Sequence, residues 1–409
     1  MNPPGRRTGN DHDATREAAP VSPPSRPDGP FRRAQHGGTP AGRFAFALAG
    51  PADDAELRRR MAEVWMEGSI AVSFRREPSY FAGCRLQGEQ VQVVKCVDRH
   101  DGSIAGMGSR LVTTLHVNGV PTRVGYLADL RLRPALRHGT LLARGYRCLR
   151  ALHRADPLPF YLTVIFDDNA AAMQSLLGGR AGLPHYSPLG RILTPALHLD
   201  FARPAITVDG VAFGRADAAA WPELRALLRR EAANKQFSPA YAEADFGAGG
   251  KFAILVASDF LVARSGGRIV ACVAAWDQSA VRQVHIERYA WPLRLLRPLH
   301  NAASRVGPMK PLPAPGERLP CVYLSCIAVQ GNDLQLFRGL LRFACNTLRN
   351  GRWHYAIAGL HEDDPLSAAL MDQRRIDAAG QLFIVHYPED GDPRPGIDAR
   401  TRSFEMALA

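Results

Sequence analysis

The chain has 409 residues, of which 46% are hydrophobic and 22% charged, and it carries a formal net charge of +12. That length exceeds one ordinary hydrophobic core and suits two domains, and the composition excludes a chain disordered throughout. The basic excess is mostly arginine spread along the chain; with no lysine-rich run or aromatic-studded basic stripe, it points to an anionic small molecule such as a phosphorylated cofactor and argues against nucleic acid as a partner.

The seven cysteines form no CxxC pair, are odd in number and sit mostly in apolar runs. This suits a reducing compartment and speaks against a disulfide framework or a zinc site. The N-terminus lacks a signal-peptide pattern, and no apolar stretch is long enough to span a bilayer. The expectation is a cytoplasmic protein with no membrane partner; nothing indicates an oligomeric state.

Residues 1–42 are rich in Pro, Gly, Arg, Asp and Ser with almost no large apolar side chain, so this tail is expected to be disordered. Order is expected from the strand at Arg43–Leu48. A helix over Pro51–Trp65 follows, with Leu57, Met61, Val64 and Trp65 on one face. Strands are predicted at Val91–Val97, Ser103–Val117 and Thr122–Leu132, the last two joined by an Asn118-Gly119 hairpin turn. After Pro134 the pattern is helical through Leu152. Phe160–Phe166 is a buried strand, and Asp168-Asn169 opens a helix that ends at Gly178-Gly179. The second half repeats the layout. A strand at Ala212–Gly214 precedes a helix over Asp217–Ala232, and strands are expected near Ala253–Ala263 and Arg268–Trp276. A Pro-rich insertion covers roughly Trp291–Pro320. Beyond it come a strand at Cys321–Val329, a helix over Leu334–Leu348, a strand at His354–Ala358 and a helix after Asp363-Asp364-Pro365. Val124-Gly-Tyr-Leu-Ala-Asp-Leu-Arg-Leu faces Cys321-Val-Tyr-Leu-Ser-Cys-Ile-Ala-Val in this alignment. A duplicated α/β unit is the natural reading, divided into 43–205 and 206–409.

Chemistry is expected where the strand ending in Leu130-Arg131-Leu132 runs through Arg137-His138-Gly139-Thr140 into a long helix. The first amides of a helix lack partners and carry partial positive charge, which makes this junction an anion site. Carboxylates near it, Asp129 and Glu67, are candidate bases. Asp129 equally reads as a strand-end carboxylate paired with Arg131 or Arg133.

With Leu132-Arg133-Pro134, Arg137 and, further on, Asn169-Ala-Ala-Ala172, the first half resembles the GNAT (Gcn5-related N-acetyltransferase) superfamily. That resemblance implies two tandem α/β domains with mixed sheets. It implies an N-acetyltransferase with acetyl-CoA as co-substrate, an amine as acceptor and no metal. The ligand would be held by Leu130, Arg131, Leu132, Arg137, His138, Gly139, Thr140, Asn169 and Ala172. A backbone amide near Leu132 would polarise the thioester carbonyl. The loop departs from the family in having one glycine, out of register. Where the family carries a tyrosine that protonates the leaving thiolate, this chain has Leu176, so Tyr186 is the substitute candidate. The second half keeps the strand but reads Gln330-Gly-Asn-Asp-Leu-Gln-Leu in the loop, where Asp333 would repel a pyrophosphate. A CoA site is expected in the first half only. His361-Glu362-Asp363-Asp364 reads as an acidic helix start rather than a metal site. The alternative reading is a non-catalytic binder of CoA esters or a scaffold with degenerate domains.

Overall fold

The computed structural model describes residues 42–137, 139–178 and 182–409. The tail over 1–42, apart from Gly42, lies outside the described residues, as do His138 and Gly179.

The first half contributes β1 (Phe44–Leu48), α1 (Asp54–Ala62), β2 (Trp65–Met66), β3 (Ile70–Arg75), α2 (Tyr80–Arg85), β4 (Gln90–Asp98), β5 (Ile104–Val117) and β6 (Val120–Leu132). It continues with α3 (Leu141–Ala155), β7 (Tyr161–Phe166), α4 (Ala170–Leu177), β8 (His185–Leu193) and β9 (Ala196–His198). The second half contributes β10 (Val211–Arg215), α5 (Trp221–Ala233), α6 (Glu243–Phe246), β11 (Phe260–Ser265), β12 (Arg268–Trp276), β13 (Gln283–Tyr289), α7 (Trp291–Ala303) and β14 (Cys321–Val329). It closes with α8 (Leu334–Leu348), β15 (Tyr355–Ala358), β16 (Leu360–His361), α9 (Ser367–Met371), β17 (Arg375–Ile376) and β18 (Ala379–His386).

The strands build an eight-stranded sheet in the order β1-β4-β5-β6-β7-β18-β8-β16 and a seven-stranded sheet in the order β10-β11-β12-β14-β15-β9-β17. Both are mixed: β6–β7 and β14–β15 are parallel within otherwise antiparallel ladders. The two sheets trade strands across residue 205. β18, from the far end of the chain, lies between β7 and β8, and β9 lies between β15 and β17. A third sheet joins β13 of the second half to β3 and β2 of the first.

The first sheet separates two apolar layers. Leu57 and Met61 of α1 pack with Leu111, Tyr126, Leu162 and Ile384 on one side. Tyr146, Leu149 and Leu152 of α3 pack with Val112, Leu127, Tyr161 and Phe383 on the other. β5 is buried along nearly its whole length because both of its faces are covered. The β5–β6 turn uses Asn118 (φ 53°) and Gly119 (φ 80°), the positive φ values that a two-residue hairpin requires.

Four elements differ from the sequence expectation. The first helix stops at Ala62, so Val64 is not on its face, and Trp65 sits in β2, 45% exposed. The strand expected from Ala253 begins only at Phe260. The Pro-rich insertion contains the helix α7, opened by Pro292 in its first turn, a position that needs no N–H partner. After Pro134 comes a single 3₁₀ turn, and α3 starts only at Leu141.

Candidate functional site at the β6–α3 junction

β6 and β7 run parallel but pair only at Gly125–Tyr161 and Tyr126–Leu162. Gly125 is required there: a Cβ would stand 1.9 Å from Cδ1 of Tyr161. Beyond these pairs the Thr163 hydroxyl donates to Leu127 O at 2.8 Å, and the strands part. In the diverging part β6 carries a bulge against β5, where the register shifts between Met107 and Ser109 and Asp129 takes a positive φ of 55°. Such a bulge re-aims main-chain groups out of the ladder. Leu130, Arg131 and Leu132 follow it and line a small apolar cavity of about 50 Å³ with Phe46, Val94, Met107 and, from α3, Leu142. The Arg131 Nε is buried with no hydrogen-bond partner among the described residues. Burial lowers the Arg131 pKa, opposed by the nearby Asp129.

The α3 N-terminus lies one turn further on. Thr140 is its N-cap residue but makes no side-chain bond to the first turn, so among the described residues no side chain caps the positive partial charge of this helix end. Arg137 and Gly139 are exposed beside it, and a Cβ on Gly139 would meet nothing closer than 3.9 Å.

Behind the bulge lies a buried polar cluster that sequence reasoning did not find. Asp129 Oδ2 accepts from Arg76 at 2.7 Å and from the Tyr80 hydroxyl at 2.9 Å. Arg76 also donates to Gln87 Oε1 (2.8 Å), and the Tyr80 hydroxyl meets Ser109 Oγ at 2.8 Å. Burial is the largest single influence and opposes the charge on Arg76, but Asp129 together with Cys84, Tyr80 and Tyr126 overcomes it and the pKa is raised. Burial, with Asp129 adding to it, holds the Tyr80 hydroxyl well above its ordinary value. Asp129 thus pairs with Arg76, 53 residues away in sequence, and not with Arg131 or Arg133. The one available signal was the paired charge types; nothing local in sequence joins them. Arg282, on the loop before β13, approaches the same cluster and donates to Ala407 O at 2.8 Å and to Ala409 O.

The other sequence-named residues are scattered. Glu67 is exposed, bonded to Arg288 and to Trp65 Nε1 (2.8 Å), and stands outside the cluster. The Tyr186 hydroxyl on β8 meets that of Tyr146 on α3, and burial drives its pKa well up. Asn169 caps α4 by accepting from Ala172 N at 3.1 Å, and Ala172 packs against the layer under α3. Leu176 is buried in that same layer. The acidic run of the second half is engaged locally. His361 Nε2 meets Leu189 O at 2.8 Å, and Asp364 accepts from Lys235 at 2.7 Å.

The corresponding place in the second half is built alike and closed. β14 bulges against β12 at Cys326, with φ 51°, in register with Asp129 of the first half. Its N–H donates to Glu405 Oε2 at 2.8 Å. Burial raises the Glu405 pKa to about 7. β14 and β15 pair over four residues. Asp333 caps α8 by accepting from Gln335 N (2.8 Å) and Leu336 N (3.0 Å).

Among solved structures the chain is similar to two crystal structures of Saccharomyces cerevisiae N-myristoyltransferase with bound myristoyl-CoA. Each is 10% identical, with TM-scores of 0.54 and 0.55; the matches cover 90% of this chain and 85% and 89% of those chains. It is also similar to the GCN5-related glucosamine N-acetyltransferase region of a fungal multi-domain GH3 β-N-acetylglucosaminidase. That match has 12% identity and a TM-score of 0.56 and covers 85% of this chain and 38% of that one. No protein-family model and no curated protein matches the chain. The fold is that of the GNAT N-acyltransferases, in a mixed α/β architecture.

Proposed function

We propose that the chain is an acyl-CoA-dependent N-acyltransferase whose donor site is the β6–α3 junction of the first half. The observation that carries this reading is the contrast at the two bulges. The Asp129 bulge opens toward an uncapped helix N-terminus, while the Cys326 bulge is filled by Glu405. An uncapped N-terminus with Arg137 beside it suits a pyrophosphate. The apolar cavity at Leu130–Leu132, about 50 Å³, has room for an acetyl or another short acyl group. A short acyl donor such as acetyl-CoA is the first candidate.

Amine acylation asks the protein for position and polarisation more than for covalent chemistry. The amine nitrogen attacks the thioester carbonyl and forms the new C–N bond. Main-chain N–H groups at the bulge stabilise the oxyanion, the C–S bond breaks, and the amine proton leaves to a base or to water. Of the acidic candidates, Asp129 stands at the bulge and Glu67 does not, so Asp129, through its bond to Tyr80, is the better placed proton acceptor. Tyr186 serves the leaving group by donating a hydrogen bond. Full proton transfer from a phenol held well above pKa 10 to a thiolate of pKa about 8.5 runs uphill. Asn169 spends its Oδ1 on the cap of α4, so it would meet the ligand through its Nδ2 donors. We assign the second half, divided from the first near residue 205, to shaping the acceptor cleft and to no CoA binding.

The test is product formation from acetyl-CoA with a panel of amines, alongside the variant Arg137→Glu. The expected result is CoA release coupled to an N-acetylated product, with the variant losing acetyl-CoA affinity while its melting temperature stays unchanged. Unaltered affinity in the variant sinks the placement of the donor site. Binding without turnover on any amine moves the reading to a non-catalytic CoA-ester binder.

A further inference from the structure

Helix α7 is built inside out. Its polar side faces the protein: Arg297 Nε and Asn301 Nδ2 donate to Leu312 O at 3.1 and 2.9 Å, Asn301 Oδ1 accepts from Leu312 N, and His300 Nε2 meets Lys310 O at 2.9 Å. Its apolar side faces outward. Trp291 is 73% exposed, Leu295 60%, Leu296 57% and Leu299 70%, and Val306 just beyond the helix is 94% exposed. At 100° per residue the four side chains within the helix, Trp291, Leu295, Leu296 and Leu299, fall within one arc of about 140°. A soluble surface rarely leaves so continuous an apolar stripe uncovered, and α7 buries no residue of its own.

Charge says what covers it. Between Glu287 and Glu317 the chain carries no Asp or Glu but has Arg288, Arg294, Arg297, Arg305 and Lys310. Arg294 and Arg305 are exposed along one edge of the stripe and make no ion pair among the described residues. A second copy of the chain seated face to face would bring these cations together. An anionic lipid surface instead neutralises them while its acyl region receives the leucines, with Trp291 at the headgroup level.

We propose that α7 is a membrane-surface docking helix that seats the protein on an anionic bilayer, its axis in the plane of the interface. No helix among the described residues is long and apolar enough to cross a membrane, and this mode needs no crossing. α7 leaves directly from the end of β13, whose sheet with β3 joins the two halves beside Arg76 and Tyr80. Docking would therefore hold this joint sheet near the lipid surface. The inference stands on the helix alone and does not depend on the acyltransferase reading.

The test is co-sedimentation of the full chain with vesicles of equimolar phosphatidylcholine and phosphatidylglycerol, beside vesicles of phosphatidylcholine alone. The wild type is expected to bind the anionic vesicles, less so at high salt. Leu295→Asp with Leu299→Asp should lower the bound fraction roughly tenfold or more, at unchanged melting temperature because both positions are solvent-facing. Arg294→Glu with Arg305→Glu should weaken binding and flatten its salt dependence. Quenching of tryptophan fluorescence by brominated lipid should fall in Trp291→Phe. A folded wild type that stays in the supernatant overturns the proposal, as does equal binding by the double leucine variant. A chain that is dimeric by light scattering, and made monomeric by Leu299→Asp, assigns the stripe to a second copy instead.

Discussion

The two bulges, at Asp129 and Cys326, occupy equivalent places in a repeated β-strand, loop and helix, and both hold a non-glycine residue at positive φ. Around that shared feature the halves diverge. In the first, the strand beyond the bulge parts from its parallel neighbour after two pairs, and the following helix begins without a side-chain cap. In the second, the parallel pairing runs over four residues, Asp333 covers the helix N-terminus, and Glu405 accepts the bulge N–H. A strained backbone position is thus not by itself a mark of function. What distinguishes the halves, among the described residues, is whether a side chain caps the bulge N–H and the helix start. An uncapped set of polar groups is a site for a ligand; a capped set is structure.

The largest way to break the comparison is to remove the carboxylate of the first bulge. Asp129→Ala leaves the Arg76 guanidinium, 4% exposed, without its countercharge, and is expected to cost about 3–5 kcal/mol. Urea denaturation would measure it. A loss below about 1 kcal/mol would mean that the cluster does not hold the bulge.

The second bulge has its own signature in pH. The Glu405 pKa is raised to about 7, above its ordinary 4.5. The folded state therefore binds its proton more tightly than the unfolded one between those values. The stabilisation is complete below about pH 4.5 and is lost as pH rises through about 7, a decline on the order of 3 kcal/mol or less. Glu405→Gln, which keeps an acceptor for Cys326 N, should flatten that decline. Melting temperatures of the two proteins at pH 5 and pH 8 check it, and parallel slopes would exclude Glu405 as the titrating group.

Much of this was legible in sequence because it is local. The strands at β4, β5, β6 and β14, the Asn118-Gly119 turn, and the helices α5 and α8 follow from periodicity and turn chemistry. The junction at Arg137–Thr140 is equally local, since a helix start is written in a few consecutive residues; Asp333 reads in sequence as a charge that repels a pyrophosphate, and the structure adds its role as the α8 cap. The alignment of Val124–Leu132 with Cys321–Val329 placed Asp129 opposite Cys326, and the structure gives both the same bulge. What stayed hidden is long-range. Arg76 and Tyr80 reach Asp129 only once β3 has crossed to the joint sheet with β13. Glu405 meets Cys326 across 79 residues, and β18 enters the first sheet from the far end of the chain. α7 was masked for a different reason: three prolines in Trp291–Pro308 read as a breaker, whereas Pro292 starts the helix and Pro298 is carried on its exposed side.

The central claim is that the first half has an open anion site and the second a closed one. It is tested most directly by making the first resemble the second. Thr140→Asp would place at the α3 N-cap the carboxylate that Asp333 supplies to α8, with a gain of a few tenths of a kcal/mol in helix stability. Calorimetric titration of acetyl-CoA into the wild type should show one site per chain, lost in Thr140→Asp and unchanged in Asp333→Ser. Two sites in the wild type, or undiminished binding in Thr140→Asp, would contradict the account.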